Sequence, residues 1–142
     1  MIVIQKDLSE LKQELKDKIH KIKKDKENEG IIINVGTTAQ YKLNCSLTSR
    51  TNIQAVLNAY QSGIFDTTTY TLQWKFDDGQ FATIGYTQLQ EVLKFMMDYL
   101  EKLFEAEKSH YASIDSLTTR EAIKSYDINS NWPDNNYLAT TF

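Results

Sequence analysis

Leu89, Val92, Leu93, Met96, Leu100, Leu103 and Phe104 recur at three- and four-residue steps, and this stripe constrains the fold more than any other feature. Only an α-helix brings those positions to one face, and a face so wide and apolar must be covered by other elements. The spacing therefore predicts a central core helix, with Thr87 and Gln90 at capping-box distance near its start. A chain of 142 residues, 41% apolar and 25% charged, suffices for one domain around that helix plus an extension.

The extension is a second helical period. From Ile4 it runs through Leu8, Leu11, Leu15, Ile19 and Ile22, with Lys18 interrupting a strict heptad seam. Glu14 before Lys18 and Asp17 before Lys21 are acid-before-base pairs one turn apart, worth a few tenths of a kcal/mol each (~0.3) on an exposed helix. Gly30 ends the segment. The β-branched run Ile31, Ile32, Ile33 and Val35, the turn residues 36–38, and Tyr41 and Leu43 predict a hairpin. A helix capped from Ser46, Thr48 or Ser49 follows, its face drawn by Ile53, Val56, Leu57 and Tyr60 and its end set by Gly63. Alternation of Tyr70, Leu72, Trp74 and Phe76, then Asp77-Asp78-Gly79 before Phe81 and Ile84, predicts a second hairpin. Thr118 and Glu121 open a short helix containing Ala122 and Ile123. The fold class is α+β: an N-terminal amphipathic helix, two short β-hairpins and a long core helix with two shorter helices. Residues 1–29 form the helix, 30–133 the domain, and 134–142 a polar tail expected to be loose or held by a partner.

Charge narrows the partners. Half of the 16 basic residues fall between residues 6 and 26, but Asp7, Glu10, Glu14, Asp17, Asp25, Glu27 and Glu29 lie among them, and the net charge is -3. A nucleic-acid arm is far more one-sided, so nucleic acid is not expected as a partner. No apolar run approaches the roughly 20 residues that span a bilayer, and residues 1–4 are too short for a signal-peptide core; the expectation is no membrane and synthesis in a cytoplasm without export. Cys45 stands alone, which excludes an intramolecular disulfide framework.

The residues capable of chemistry are scattered. His20 and His110 lie on different helices without acid or thiol neighbours at metal-ligand spacing, so structural or solvated roles are expected, with no metal and no cofactor. Cys45 reads as a small buried apolar residue, and Asp77, Asp78 and Gly79 as a turn rather than a metal or acid-base pair. Arg50, one of two arginines, stands where a helix begins and is expected to clamp a carboxylate or carbonyl, with a structural ion pair preferred. The phase of Trp74 points inward; Trp132 is left as the better contact residue. No enzyme is indicated.

Taken in order, residues 43–56 with Ser49, Arg50, Asn52, Ile53, Ala55 and Val56, the strand of Trp74 with Asp78 and Gly79, the helix of Leu89, and the ending from Ile114 and Ile123 to Trp132-Pro133 resemble a family of bacteriophage modules. That family is a domain of unknown function found in tail-fibre and other tail proteins, and the likeness covers residues 30–133. Asn44 and Ser46 stand where acidic residues are common in it. The resemblance implies a non-catalytic virion structural or adaptor protein, made in the bacterial cytoplasm and located in the phage tail or fibre. On that expectation the front helix pairs with copies of itself or with other virion proteins through Leu8, Leu11, Leu15 and Ile22, giving a homo-oligomer. The alternative is a small host- or phage-encoded protein-binding regulator whose front helix packs intramolecularly.

Overall fold

A computed structural model describes residues 5–142; Met1, Ile2, Val3 and Ile4, the last of which begins the first helical period in the sequence, lie outside the described residues. The elements are α1 (Leu8–Glu29), β1 (Ile31–Val35), β2 (Ala39–Leu43), α2 (Leu47–Gln61), β3 (Leu72–Lys75), β4 (Phe81–Ile84), α3 (Tyr86–Asp115), α4 (Arg120–Lys124) and β5 (Asn136–Leu138). The fold is α+β. Contacts group the chain into two compact units, one reaching to Asp25 and including Glu101–Pro133, the other made of Lys26–Leu100 and Asp134–Phe142. This grouping cuts across the partition 1–29, 30–133 and 134–142, because α1 and α3 each contribute to both units.

In the first unit, α1 turns one stripe inward. Leu8, Leu11, Leu15 and Ile22 are half-buried and Ile19 is fully buried, while Lys18 is exposed. A strict 3.5-residue repeat would place Lys18 in the seam; a straight helix of 3.6 residues per turn drifts by one position and seats Ile19 instead. The expected exposed seam is thus partly consumed within its own unit. Lys16 links the helix to α3, its Nζ 2.7 Å from Asp115 and 5.6 Å from the Tyr111 ring centre. His20 Nδ1 lies 2.9 Å from Glu107. Leu103, Ala106, Ile114 and Ile123 are buried in the same unit, with Thr119 rather than Thr118 capping α4 by accepting from the Ala122 amide.

The second unit holds both sheets. β1 pairs antiparallel with β2 from Ile31↔Leu43 to Val35↔Ala39, and alternation sends Ile31, Ile33 and Leu43 into the core. β3 pairs with β4 in register Trp74↔Ala82. The turn between them uses Gly79 at φ 82, a left-handed conformation that favours glycine, while the Asp78 carboxylate accepts from the Gln80 amide at 3.2 Å. Phe76 is fully inside; Trp74 is only half-buried, and Tyr70 falls before the strand, stacked on Phe65 at 4.1 Å. α2 is capped by Ser46, whose hydroxyl accepts from the Ser49 amide. α3 is entered two residues earlier than Thr87 and Gln90 suggest: the Gly85 amide donates to Gln88 Oε1 at 2.9 Å.

The segment after Pro133 is not loose. It forms β5, which pairs parallel with β1 through Ile33↔Tyr137, a long-range pairing that a polar composition does not advertise. Tyr137 stacks on Phe95 at 4.7 Å and donates to Asp98 at 2.8 Å. Beyond it, Glu91 accepts from the Thr140 amide at 2.9 Å, from the Thr140 hydroxyl, and from the Thr141 amide at 3.3 Å. Burial pushes the Glu91 carboxyl up, but these donors outweigh it and hold the group below its ordinary 4.5. A depressed folded-state value means stabilisation present above pH 4.5 and lost as pH falls through the lower value. Amide exchange at Thr140 and Thr141 is expected to accelerate as pH falls below the ordinary carboxylate value of 4.5, after correction for intrinsic rates, and Glu91→Ala to produce a roughly tenfold acceleration already at neutral pH. Unchanged protection in that variant would show that β5 alone fastens the segment.

Candidate functional site

The most elaborate polar arrangement in the second unit frames the start of α2. The Asn44 side-chain carbonyl accepts from the Ser46 amide at 3.1 Å, the Ser46 hydroxyl at 2.5 Å and the Ser49 hydroxyl at 2.6 Å. Its amide nitrogen donates to Asp77, which also accepts from the Asn44 backbone at 2.6 Å. Asp77 is therefore more than a turn residue: across 33 positions it ties the β3–β4 turn to the α2 entrance. An amide at position 44 suits this role, since it offers a donor to the Asp77 carboxylate where an acid would set two like charges together.

This frame fixes the direction in which Arg50 leaves the first turn of α2. The expected ion pair is absent among the described residues, and the buried Arg50 Nε–H has no hydrogen-bond acceptor. Buried donors of that kind are rare. Close by, Cys45 is fully enclosed and its thiol is pushed up to about 12, first by burial, against which the Arg50 charge pulls down. That thiol is inert as a nucleophile at neutral pH.

Arg50 also lines a groove of about 520 Å³ between α2 and α3, with Ala55 and Leu93 along it and Met97 half exposed. A second stretch of about 370 Å³ shares Gln54, Leu93 and Met97 and continues past Gln61 to Lys94. Among the described residues, Arg50 and Lys94 are the only ionised side chains lining either stretch, although acids outnumber bases 19 to 16 in the chain. Leu47, 69% exposed, stands one turn before Thr51 on the same side of α2. Met97 and Lys94 flank the core stripe of α3, so periodicity marks the stripe and passes over them; the signal that could have found the site is an apolar Met97 one turn after Leu93, where a solvated face ordinarily carries a polar side chain.

The other residues singled out lie apart from this groove. Leu8, Leu11, Leu15 and Ile22 belong to the inner stripe of α1 in the first unit. The same unit holds Trp132, which follows α4 and is half-buried with its indole N–H donating to the Ile128 carbonyl at 2.9 Å. Its ring lies 5.1 Å from that of His110, whose Nδ1 and Nε2 are 2.6 Å from the Tyr126 hydroxyl and 2.8 Å from the Ser130 carbonyl. Since a carbonyl only accepts, Nε2 carries a proton, and the buried ring serves as a fastener for the segment after α4. Trp74, Asp78 and Gly79 shape the β3–β4 hairpin. Among the described residues no three His, Cys, Asp or Glu side chains gather to hold a metal, and no helix is long and apolar enough to cross a membrane.

Residues 10–130 match the family model for the domain of unknown function DUF4376. The chain belongs to that family. The DUF4376 match begins inside α1, so most of the front helix is part of the family's domain rather than an appendage to it, whereas β5 lies beyond the matched residues. No curated protein and no solved structure matches the chain.

Proposed function

We propose that this DUF4376 protein is a non-catalytic structural or adaptor protein of a bacteriophage particle, associated with the tail or tail fibre and working by binding other virion proteins. The observation that supports the non-catalytic part is the commitment of its chemically capable side chains: both His110 nitrogens, the Asp77 carboxylate and the enclosed Cys45 thiol are engaged in holding the fold. The phage assignment is supported by the residue pattern from Ser49-Arg50 to Trp132-Pro133. Attachment falls to the domain surface more than to Leu8, Leu11, Leu15 and Ile22, which already face their own unit. The mixed charge of α1 argues for protein partners over nucleic acid.

The full burial of Ile19 favours a second reading, a protein-binding regulator whose front helix packs intramolecularly. Mass spectrometry of purified particles separates the two. The first expects the chain at a fixed stoichiometry with known tail proteins; its presence only in the infected-cell lysate supports the regulator and sinks the virion assignment.

A further inference from the structure

We infer that the α2–α3 groove is a docking site for an acidic amphipathic helix of a partner protein, with Arg50 receiving a carboxylate from it. This deepens the binding role proposed above and rests on it. The groove is lined by apolar Ala55, Leu57 and Leu93 and by a half-exposed apolar residue, Met97 at 50%. Methionine suits a surface that must adapt to an incoming side chain. Its length follows from α2: residues 50–61 rise about 1.5 Å each, roughly 17 Å, the span of a three-turn helix. A helix laid between two packed helices contacts them through positions three and four apart.

Charge complementarity selects the occupant. Among the described residues Arg50 and Lys94 line the groove and no carboxylate does, so a basic segment would be repelled and a purely apolar one would cover Arg50 with its charge unanswered. An acidic side chain answers it, in the fork geometry a guanidinium offers. A second copy of this groove brings the same cations and is disfavoured on the same ground.

The test uses two synthetic fifteen-residue amphipathic peptides, one of Leu, Ala and Glu, the other with every Glu replaced by Lys, titrated into the isotopically labelled full chain and followed by amide NMR shifts. The Glu peptide is expected to shift Gln54, Ala55, Asn58, Leu93 and Met97 saturably. Binding should weaken at least tenfold in Arg50→Gln and in Met97→Glu, and should fall with added salt. The Lys peptide should leave these amides unmoved. Met97 is exposed, so Met97→Glu decides the matter if Arg50→Gln disturbs the fold. The inference is overturned if neither peptide titrates, if both titrate equally, if the shifts map to other residues, or if both variants bind like the parent. These results are independent of whether the chain is found in particles, so the virion assignment and the groove stand or fall separately.

Discussion

Replacing Gly30 with alanine is expected to be among the most damaging single changes to the second unit, removing about 4 kcal/mol or more. Two costs combine. Gly30 has φ +76, a left-handed conformation that costs an L-residue about 1–2 kcal/mol. Its position also admits no side chain: a Cβ there would stand 2.0 Å from the Leu43 carbonyl oxygen and 2.5 Å from the Asn44 Cα. Both obstacles are backbone, so no rotamer change relieves them, and the end of β2 must move. That motion pulls on the bond from the Cys45 amide to the Glu27 carbonyl, 2.8 Å, and on the one from Asn135 Nδ2 to Gly30 itself, 2.9 Å. Against a total stability of about 5–15 kcal/mol, such a loss exposes β1 and β2 to exchange. Gly79→Ala is the control: φ is +82, but the space around it is open, so only the conformational cost of about 1–2 kcal/mol applies. Equal urea midpoints for the two variants would show that the close approach of Gly30 to β2 carries no weight.

Ile19→Ala should destabilise the first unit by about 3 kcal/mol, within the range for emptying a buried isoleucine site. Lys18→Ala, one residue away on the exposed side, should change stability by less than about 0.5 kcal/mol. The contrast is decisive for how α1 is used. A heptad seam reserved for self-assembly would leave the monomer indifferent to position 19 and make association fail instead. Urea titration of each variant with light scattering alongside distinguishes the outcomes: a folded chain of unaltered stability and reduced mass for Ile19→Ala would restore the seam as an oligomerisation surface. The structure leads to the opposite expectation, lost stability at any protein concentration.

Much of the fold was legible in the residues because it rests on local physics. The stripe through Leu89, Val92 and Met96 specifies α3, β-branched residues after Gly30 specify β1, and Asp78-Gly79 specifies a turn, each through interactions within a few positions. Cap positions slipped by a residue or two, as at Thr119 and Gln88, since several Ser, Thr and Gln side chains near a helix start compete for the same amides. Of the residues lining the groove, Ala55, Leu57 and Leu93 stand out in the sequence only as helix-face or motif positions, and Arg50 only for an ion pair that the described residues do not make.

Local periodicity and turn chemistry thus specify the inventory of helices and hairpins and the α+β class. Packing settles the rest: which side of α1 is inside, that residues 136–138 add a parallel strand to β1, that Asp77 serves Asn44, and that Arg50 ends in a groove where the described residues place no carboxylate. The physical reason is range. A helical period or a turn is set by neighbours along the chain, whereas a buried stripe, a strand partner or an unanswered charge depends on groups brought together from distant positions, and a single sequence records no such pairing.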